Sequence, residues 1–341
     1  MENSEASRSV KTSKLILTNA ILILALALIP AFVERTDVIT WLTFTLLYIT
    51  LSQSWNIIGG FAGQQNLGHA AFFGIGALSA RFLWLAGLPL PLALLIGAAA
   101  AALFALIIGF PAFRLRGVYF VIGTLVLAEI LKTVFDTVLP RASVLPSRLL
   151  NVYSLTPRYY LSLVIAIAAV GVVFWISRSR LGLGFMSVRE DEDAAEASGV
   201  STQKYKLLAL LISTSMAGLA GGVFGYFASA AQPGSLFSAV WTFDAVIIVF
   251  VGGVGTVLGP IIGSCFFVLL QQVLSLYLPM GMHILVFGIL FIIVVLFLPG
   301  GLIGLMSRFK RAGSVKQLSK RSRRRSWCLF FQKRGGSWES F

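Results

Sequence analysis

WNIIGGFAGQQNLGHAAFFGIGA, residues 55–77, joins two long apolar runs through a segment where glycine, alanine and amide side chains replace the bulky residues on either side. Small residues at Gly68, Ala71, Gly74 and Ala77 recur at every third position, a spacing that lets helix backbones approach closely inside a membrane bundle. Gln64, Gln65, Asn66 and His69 sit among them, and such groups are expensive to place against lipid. They are expected to face the bundle interior, either lining a pathway or capping a helix start and hydrogen-bonding across an interface. His69 is not expected to hold a metal, because no second ligand lies at helical or loop spacing around it. Residues 63–68 are not a phosphate loop either, since His69 stands where the lysine belongs.

Outward from this stretch the chain is written for a lipid solvent. Of its 341 residues, 57% are hydrophobic and 12% charged, about half the charged share of a soluble domain, and the mean hydropathy is +0.90. Apolar runs fit to cross ~30 Å of hydrocarbon, some shorter than the usual span, lie at 15–33, 39–57, 68–86, 91–110, 118–139, 159–176, 207–230, 241–254, 257–277 and 282–299. The expected fold is an all-α, polytopic transmembrane bundle of about 8–10 spans, the lower count applying if short runs such as 241–254 are re-entrant or broken helices. The run 15–33 follows Arg8, Lys11 and Lys14 but lacks a small-residue cleavage site, so it reads as a retained anchor.

The net charge of +14 is concentrated in the N-terminus, two internal loops and the tail. Those positions place residues 1–14, the loop 177–206 and the tail 306–341 in the cytoplasm, with residues 15–305 forming the membrane domain. Arg141, Arg148 and Arg158 then fall outside, against the trend. The basic residues orient the chain and imply contact with membrane lipid, not with nucleic acid. Cys265 and Cys328 have no paired spacing and receive no role. The connections are too short to hold a nucleotide-binding domain, so an energy source must be another polypeptide.

Three further segments carry functional signals. The span 118–139 contains Glu129, Lys132 and Asp136, and each charge at membrane depth costs roughly 2.5–3.5 kcal/mol. Glu129 and Lys132, three apart, are expected to pair and to hold the bundle together, while Asp136 reaches water near the outer end. The loop 177–206 holds most of the acidic residues, and Glu190–Ser198 is expected to form a short helix ended by Gly199. Ala194, Ala195 and Ala197 give that helix a small face for docking into a partner's groove. Gly252, Gly253, Gly255 and Gly259, followed by Pro260, break the chain at membrane depth, which is tolerated only where protein or a water-filled cavity covers the backbone. No clustered His, Cys or Asp constellation suggests a catalytic site.

Together these segments resemble the LivM-type permeases of branched-chain amino acid ABC importers, within the wider family that includes ribose and urea permeases. WNIIGGFAG (55–63) with LGHAAFFGIGA (67–77), FRLRGVYF (113–120), the segment from Arg189 to Lys206, and GGVGT (252–256) with Gly259-Pro260 follow that family's motifs in order, over about residues 40–305. Two features depart from it: RASVLP (141–146) stands where a Thr-Gly-Gly stretch is usual, and the tail after Met306, with Arg321, Arg323, Arg324, Arg325 and Trp327, has no counterpart. The resemblance implies a heterodimer with a LivH-like second permease, two cytoplasmic ATP-binding subunits and a periplasmic substrate-binding protein, with no cofactor and no catalysis in this chain. It implies that Arg189, Glu190, Asp191, Ala194, Ala195, Glu196 and Gly199 couple to the ATPase. The expected pathway lining is Gln64, Gln65, Asn66, His69, Phe72, Gly252, Gly253 and Gly255, and the transported solute is a branched-chain amino acid, with urea or a short amide as the alternative. A secondary transporter driven by an ion gradient, using Glu129 as its titratable group, is the rival from another class.

Overall fold

The computed structural model describes residues 24–30, 32, 35–139, 154–228, 232–277, 282–297 and 300–304. The expectations for residues 1–14, for Arg141, Arg148 and the RASVLP stretch, and for the tail 306–341 lie outside the described residues, as does most of the run 15–33. All regular structure among the described residues is helical. We label the helices α1 (Thr36–Trp55), α2 (His69–Leu85), α3 (Leu90–Ala112), α4 (Val118–Val138), α5 (Leu155–Arg178), α6 (Arg180–Glu190), α7 (Glu192–Ala197), α8 (Thr202–Phe227), α9 (Pro233–Leu236), α10 (Val240–Gly252), α11 (Leu258–Tyr277) and α12 (Met282–Phe297).

Six segments are long and apolar enough to cross a membrane by length and composition: α3, α4, α5, α8, the α9–α10 segment and α11. These match six of the expected runs. α1 and α12 occupy the runs at 39–57 and 282–299, and α2, apolar but only 17 residues long, occupies that at 68–86. The chain is a polytopic helical bundle with broken helices.

α8 is the central strut, packed on α1, α2, α3, α5 and α6. Its glycines explain the position. A Cβ at Gly225 would lie 2.7 Å from Ala77 O and one at Gly218 would lie 2.7 Å from the Ala101 methyl, so the backbones of α2, α3 and α8 meet with almost nothing between them. Toward α1 and α10 the packing turns aromatic: Phe73 stacks on Trp241 at 4.6 Å, and Phe224 meets the same indole edge-on at 4.7 Å.

The segment after Arg178 differs from its expected form as a loop with one short helix. It is helical from Arg180, because Ser179 caps α6 by accepting from Gly182 N and because Phe185 and Val188 bury against the bundle. α7 then covers Glu192–Ala197, with Asp191 Oδ1 accepting from Ala194 N at 2.9 Å. Gly199 ends it at φ +84°, a left-handed conformation suited to glycine.

Candidate functional site

α1 does not stop at Trp55; it widens into a π-helical turn, Asn56–Phe61, before the chain leaves helix altogether until His69. π turns are rare and recur at functional sites. This elbow is buried, so its loosened backbone needs internal partners. Trp55 Nε1 donates to Asn66 O at 2.8 Å, and Asn66 Oδ1 accepts from Gly68 N at 2.8 Å. Thr124 Oγ1 of α4 accepts from Leu67 N at 3.1 Å, and Thr242 Oγ1 of α10 accepts from Ala70 N at 2.7 Å. Two hydroxyls from distant helices thus satisfy N–H groups at the start of α2 that no helical turn can reach.

His69 is buried, with Nε2 2.7 Å from Ser54 Oγ. Ser54 Oγ also lies 2.7 Å from Leu51 O, which accepts from it. Nδ1 of His69, Nδ2 of Asn66 and Oε1 of Gln53 are buried with no hydrogen-bond partner. Asn66 and Phe72 line a crevice of ≈ 260 Å³, open space at its mouth included, whose other walls include Gly109 of α3, Thr124 of α4 and Leu210 of α8. Of the remaining expected lining residues in this stretch, Gln64 is half-buried and Gln65 exposed.

The second break lies between α10 and α11, where Gly253 and Gly255 take φ +134° and +70°. The elbow clasps it. Asn56 Nδ2 donates to Thr256 O and Asn56 Oδ1 accepts from Gly255 N, both at 2.9 Å, and Gln53 Nε2 donates to Val257 O at 2.7 Å. Gly252 and Gly253 are buried and Gly255 is half-buried. The elbow that leads into the first group of expected lining residues is thus bonded to Gly255 of the second.

Arg189, at the end of α6, closes the junction. Its Nη1 donates to Gly60 O at 2.7 Å, a Cβ added at Gly255 would lie 2.6 Å from the same nitrogen, and one at Gly63 would lie 2.9 Å from the arginine Cγ. Among the other expected coupling residues, Glu190, Asp191, Ala194, Glu196 and Gly199 are exposed. Ala195 is buried against the chain's own bundle, leaving Ala194 and Ala197 as the free small positions of α7. The Lys206 ammonium pairs with Glu192, and Arg116 lies 3.9 Å from Asp193.

Glu129 and Lys132 make a 3.2 Å ion pair within α4, on its partly exposed side. Because both belong to one helix, their contact ties no two helices together. Three charged residues with no expected site role are built into the bundle. Arg81 is buried and its Nη1 donates to Gly225 O at 2.7 Å and Ala228 O at 2.6 Å, at the carbonyl-rich end of α8. Arg158 joins that end through Tyr226 O at 3.2 Å, with its guanidinium 4.5 Å from the Tyr226 ring centroid. Asp244 accepts from Tyr48 OH at 2.9 Å between α1 and α10. No group of three or more His, Cys, Asp and Glu side chains suited to a metal gathers among the described residues.

The sequence profile described as the branched-chain amino acid transport system permease component matches residues 38–295. The chain belongs to that permease family. It is similar to the high-affinity branched-chain amino acid transport system permease protein LivM of Escherichia coli (strain K12), 29% identical over 324 residues that cover 83% of this chain and 73% of LivM. Similarity to LivH of the same organism is 29% over 139 residues, 40% of this chain and 44% of LivH. The guanosine ABC transporter permease protein NupP of Bacillus subtilis (strain 168) is 32% identical over 112 residues, 32% of this chain and 31% of NupP. No solved structure gives a match. The permease is thus LivM-like in extent, a multi-pass membrane protein of a transport-subunit family.

Proposed function

We propose that this permease forms, with a LivH-like second permease, the pathway of an ABC importer that carries branched-chain amino acids across the bacterial cytoplasmic membrane. Two ATP-binding subunits supply the energy, a periplasmic binding protein delivers the solute, and both termini lie in the cytoplasm. The observation that carries this reading is the 2.7 Å bond from Arg189 to Gly60 O. It ties the end of α6, next to α7, to the first backbone break, and the same nitrogen stands against Gly255 of the second. A push on α7 moves Arg189, and Arg189 bears on the elbow and on Gly255.

Only interactions that differ between two states can move an equilibrium between them. Loosened backbone held by a few hydrogen bonds has such alternatives; the close-packed α2–α3–α8 contact does not. Alternating access then amounts to re-clasping the breaks at 56–68 and 252–259 around a fixed strut, without covalent chemistry in this chain.

The test is uptake of labelled leucine, urea and guanosine in cells expressing the permease with its partner subunits. Leucine uptake is expected, and it should fall at least tenfold with Gly199→Arg or Arg189→Gln while membrane abundance holds. Uptake of urea or guanosine alone reassigns the solute. Leucine uptake that persists with an inactive ATP-binding subunit overturns the ATP-driven mechanism.

A further inference from the structure

α4 is the least enclosed of the spanning helices: 17% of its apolar window is buried, against 61% for α8. Its uncovered side has a regular form. Val118, Ile122, Val126, Ile130, Val134 and Val138 follow one another at intervals of four, all β-branched and all between 47% and 69% exposed. Rows of side chains four apart are the ridges that interlock when helices cross, and β-branched side chains lose little rotamer freedom on docking.

The same helix carries Glu129 and Lys132. Glu129 is the twelfth of its 21 residues, about 17 Å along a helix of about 32 Å, which is mid-membrane. The Thr133 and Thr137 hydroxyls are satisfied on their own helix, donating to Glu129 O and Thr133 O. The two charges are not. Beyond their mutual bond the ammonium keeps further donors and the carboxylate further lone pairs, and the side chains stay 34% and 47% exposed. Lipid at that depth leaves both groups without further partners, and because Ile130 and Lys132, two apart, point to opposite edges of the exposed side, that side needs a broad cover, with hydrogen-bonding groups at the Glu129–Lys132 edge and apolar grooves along the valine and isoleucine row.

We infer that the outer side of α4 is a contact surface for membrane-spanning helices of the second permease, with apolar side chains along the valine and isoleucine row and hydrogen-bonding side chains opposite Glu129 and Lys132. The inference rests on the proposed two-permease assembly, and the similarity to both LivM and LivH supplies two subunits of one family to build it. A second copy of this chain fits less well. A two-fold axis along the membrane normal sets equal levels against each other, so Glu129 meets Glu129 and Lys132 meets Lys132.

The experiment places a photo-crosslinking benzoylphenylalanine at Ile130 in the assembled complex, and in separate samples at Val164 of α5 or Leu269 of α11, which are 64% and 66% exposed. Illumination should join the permease to the second permease from position 130 and from neither control. A covalent pair of this chain with itself, or an intact complex that crosslinks only from the controls, overturns the assignment. Failure of the second permease to co-purify with the wild-type chain sinks the proposed assembly as well. Ile130→Trp should lower the recovered second permease at least tenfold with this chain's abundance unchanged, whereas Val164→Trp should not; equal recovery from both counts against the α4 face.

Discussion

The two breaks in the bundle solve the same problem with different materials. At 56–68 the irregular backbone is held mostly by polar side chains close by in sequence, Trp55 and Asn66 on the elbow and Ser54 on His69, with the Thr124 and Thr242 hydroxyls added from α4 and α10. At 252–259 the segment is nearly all glycine and aliphatic, and Thr256 is its one polar side chain. It borrows Gln53 from α1 and Asn56 from the elbow. The shape of the second break therefore depends on the first, and the reverse dependence is weaker. A transporter gains from this asymmetry, because one displacement at the elbow is felt at both places.

Removing the clasp is the severest way to break that relation. Asn56→Leu leaves Gly255 N and Thr256 O without their side-chain partner, and unmade bonds of this kind cost about 1–3 kcal/mol each. We expect a loss of roughly 4 kcal/mol in thermal unfolding of the purified protein, and no uptake. Next in size is Gly255→Ala. A non-glycine residue at φ +70° costs roughly 1–2 kcal/mol, and the new methyl would stand 2.6 Å from Arg189 Nη1. Uptake per ATP hydrolysed should fall together with the stability. Arg189→Gln added to Gly255→Ala should lower that ratio no further; an additive drop would mean that the two residues act separately.

The sequence announces each break by a different sign, amides and histidine in one, glycines and proline in the other, and the helices appear where the apolar runs fall. The bond between the breaks is not legible, because Asn56 and Thr256 are 200 residues apart and neither carries a mark of the other. The same separation hides Arg81, whose carbonyl partners lie 144 and 147 residues away. Within an apolar run a single arginine is easily passed over, and only the fold brings it to the end of α8. Arg158, which weighed against the expected orientation, is held by that same helix end, so its position reflects packing as well as topology. The π turn leaves no compositional trace: Ile57, Ile58, Gly59 and Gly60 suit an ordinary helix or a loop equally. Ala195 illustrates a further limit, since three alanines near one another in sequence divide between the chain's own core and its free surface.

Within the second break, Thr256→Val probes how much the glycine segment contributes on its own account. Thr256 Oγ1 donates to Gly253 O at 2.8 Å and accepts from Gly259 N at 3.0 Å, both local and partly solvated. Valine keeps the shape and removes both bonds, so a loss of about 1 kcal/mol is expected, well below that for Asn56→Leu. Equal losses from the two substitutions would mean that the break holds itself and that the borrowed clasp is incidental.

The smallest effect belongs to Gln53, and its size follows from two opposed terms. Gln53 Nε2 donates to Val257 O at 2.7 Å, while Oε1 of the same buried amide has no partner. Gln53→Met forfeits one bond, worth about 1 kcal/mol net, and leaves a carbonyl to find another donor; it also removes an orphaned acceptor whose burial costs about as much. Stability should change by less than about 1 kcal/mol in either direction. Transport gives the sharper reading. If Oε1 gains a partner in a second conformation of the breaks, methionine stabilises the conformation described here relative to the other, and uptake falls severalfold although the protein is as stable as before. Unchanged uptake would make Gln53 a tether alone and would leave Asn56 as the residue through which the elbow controls the glycine break.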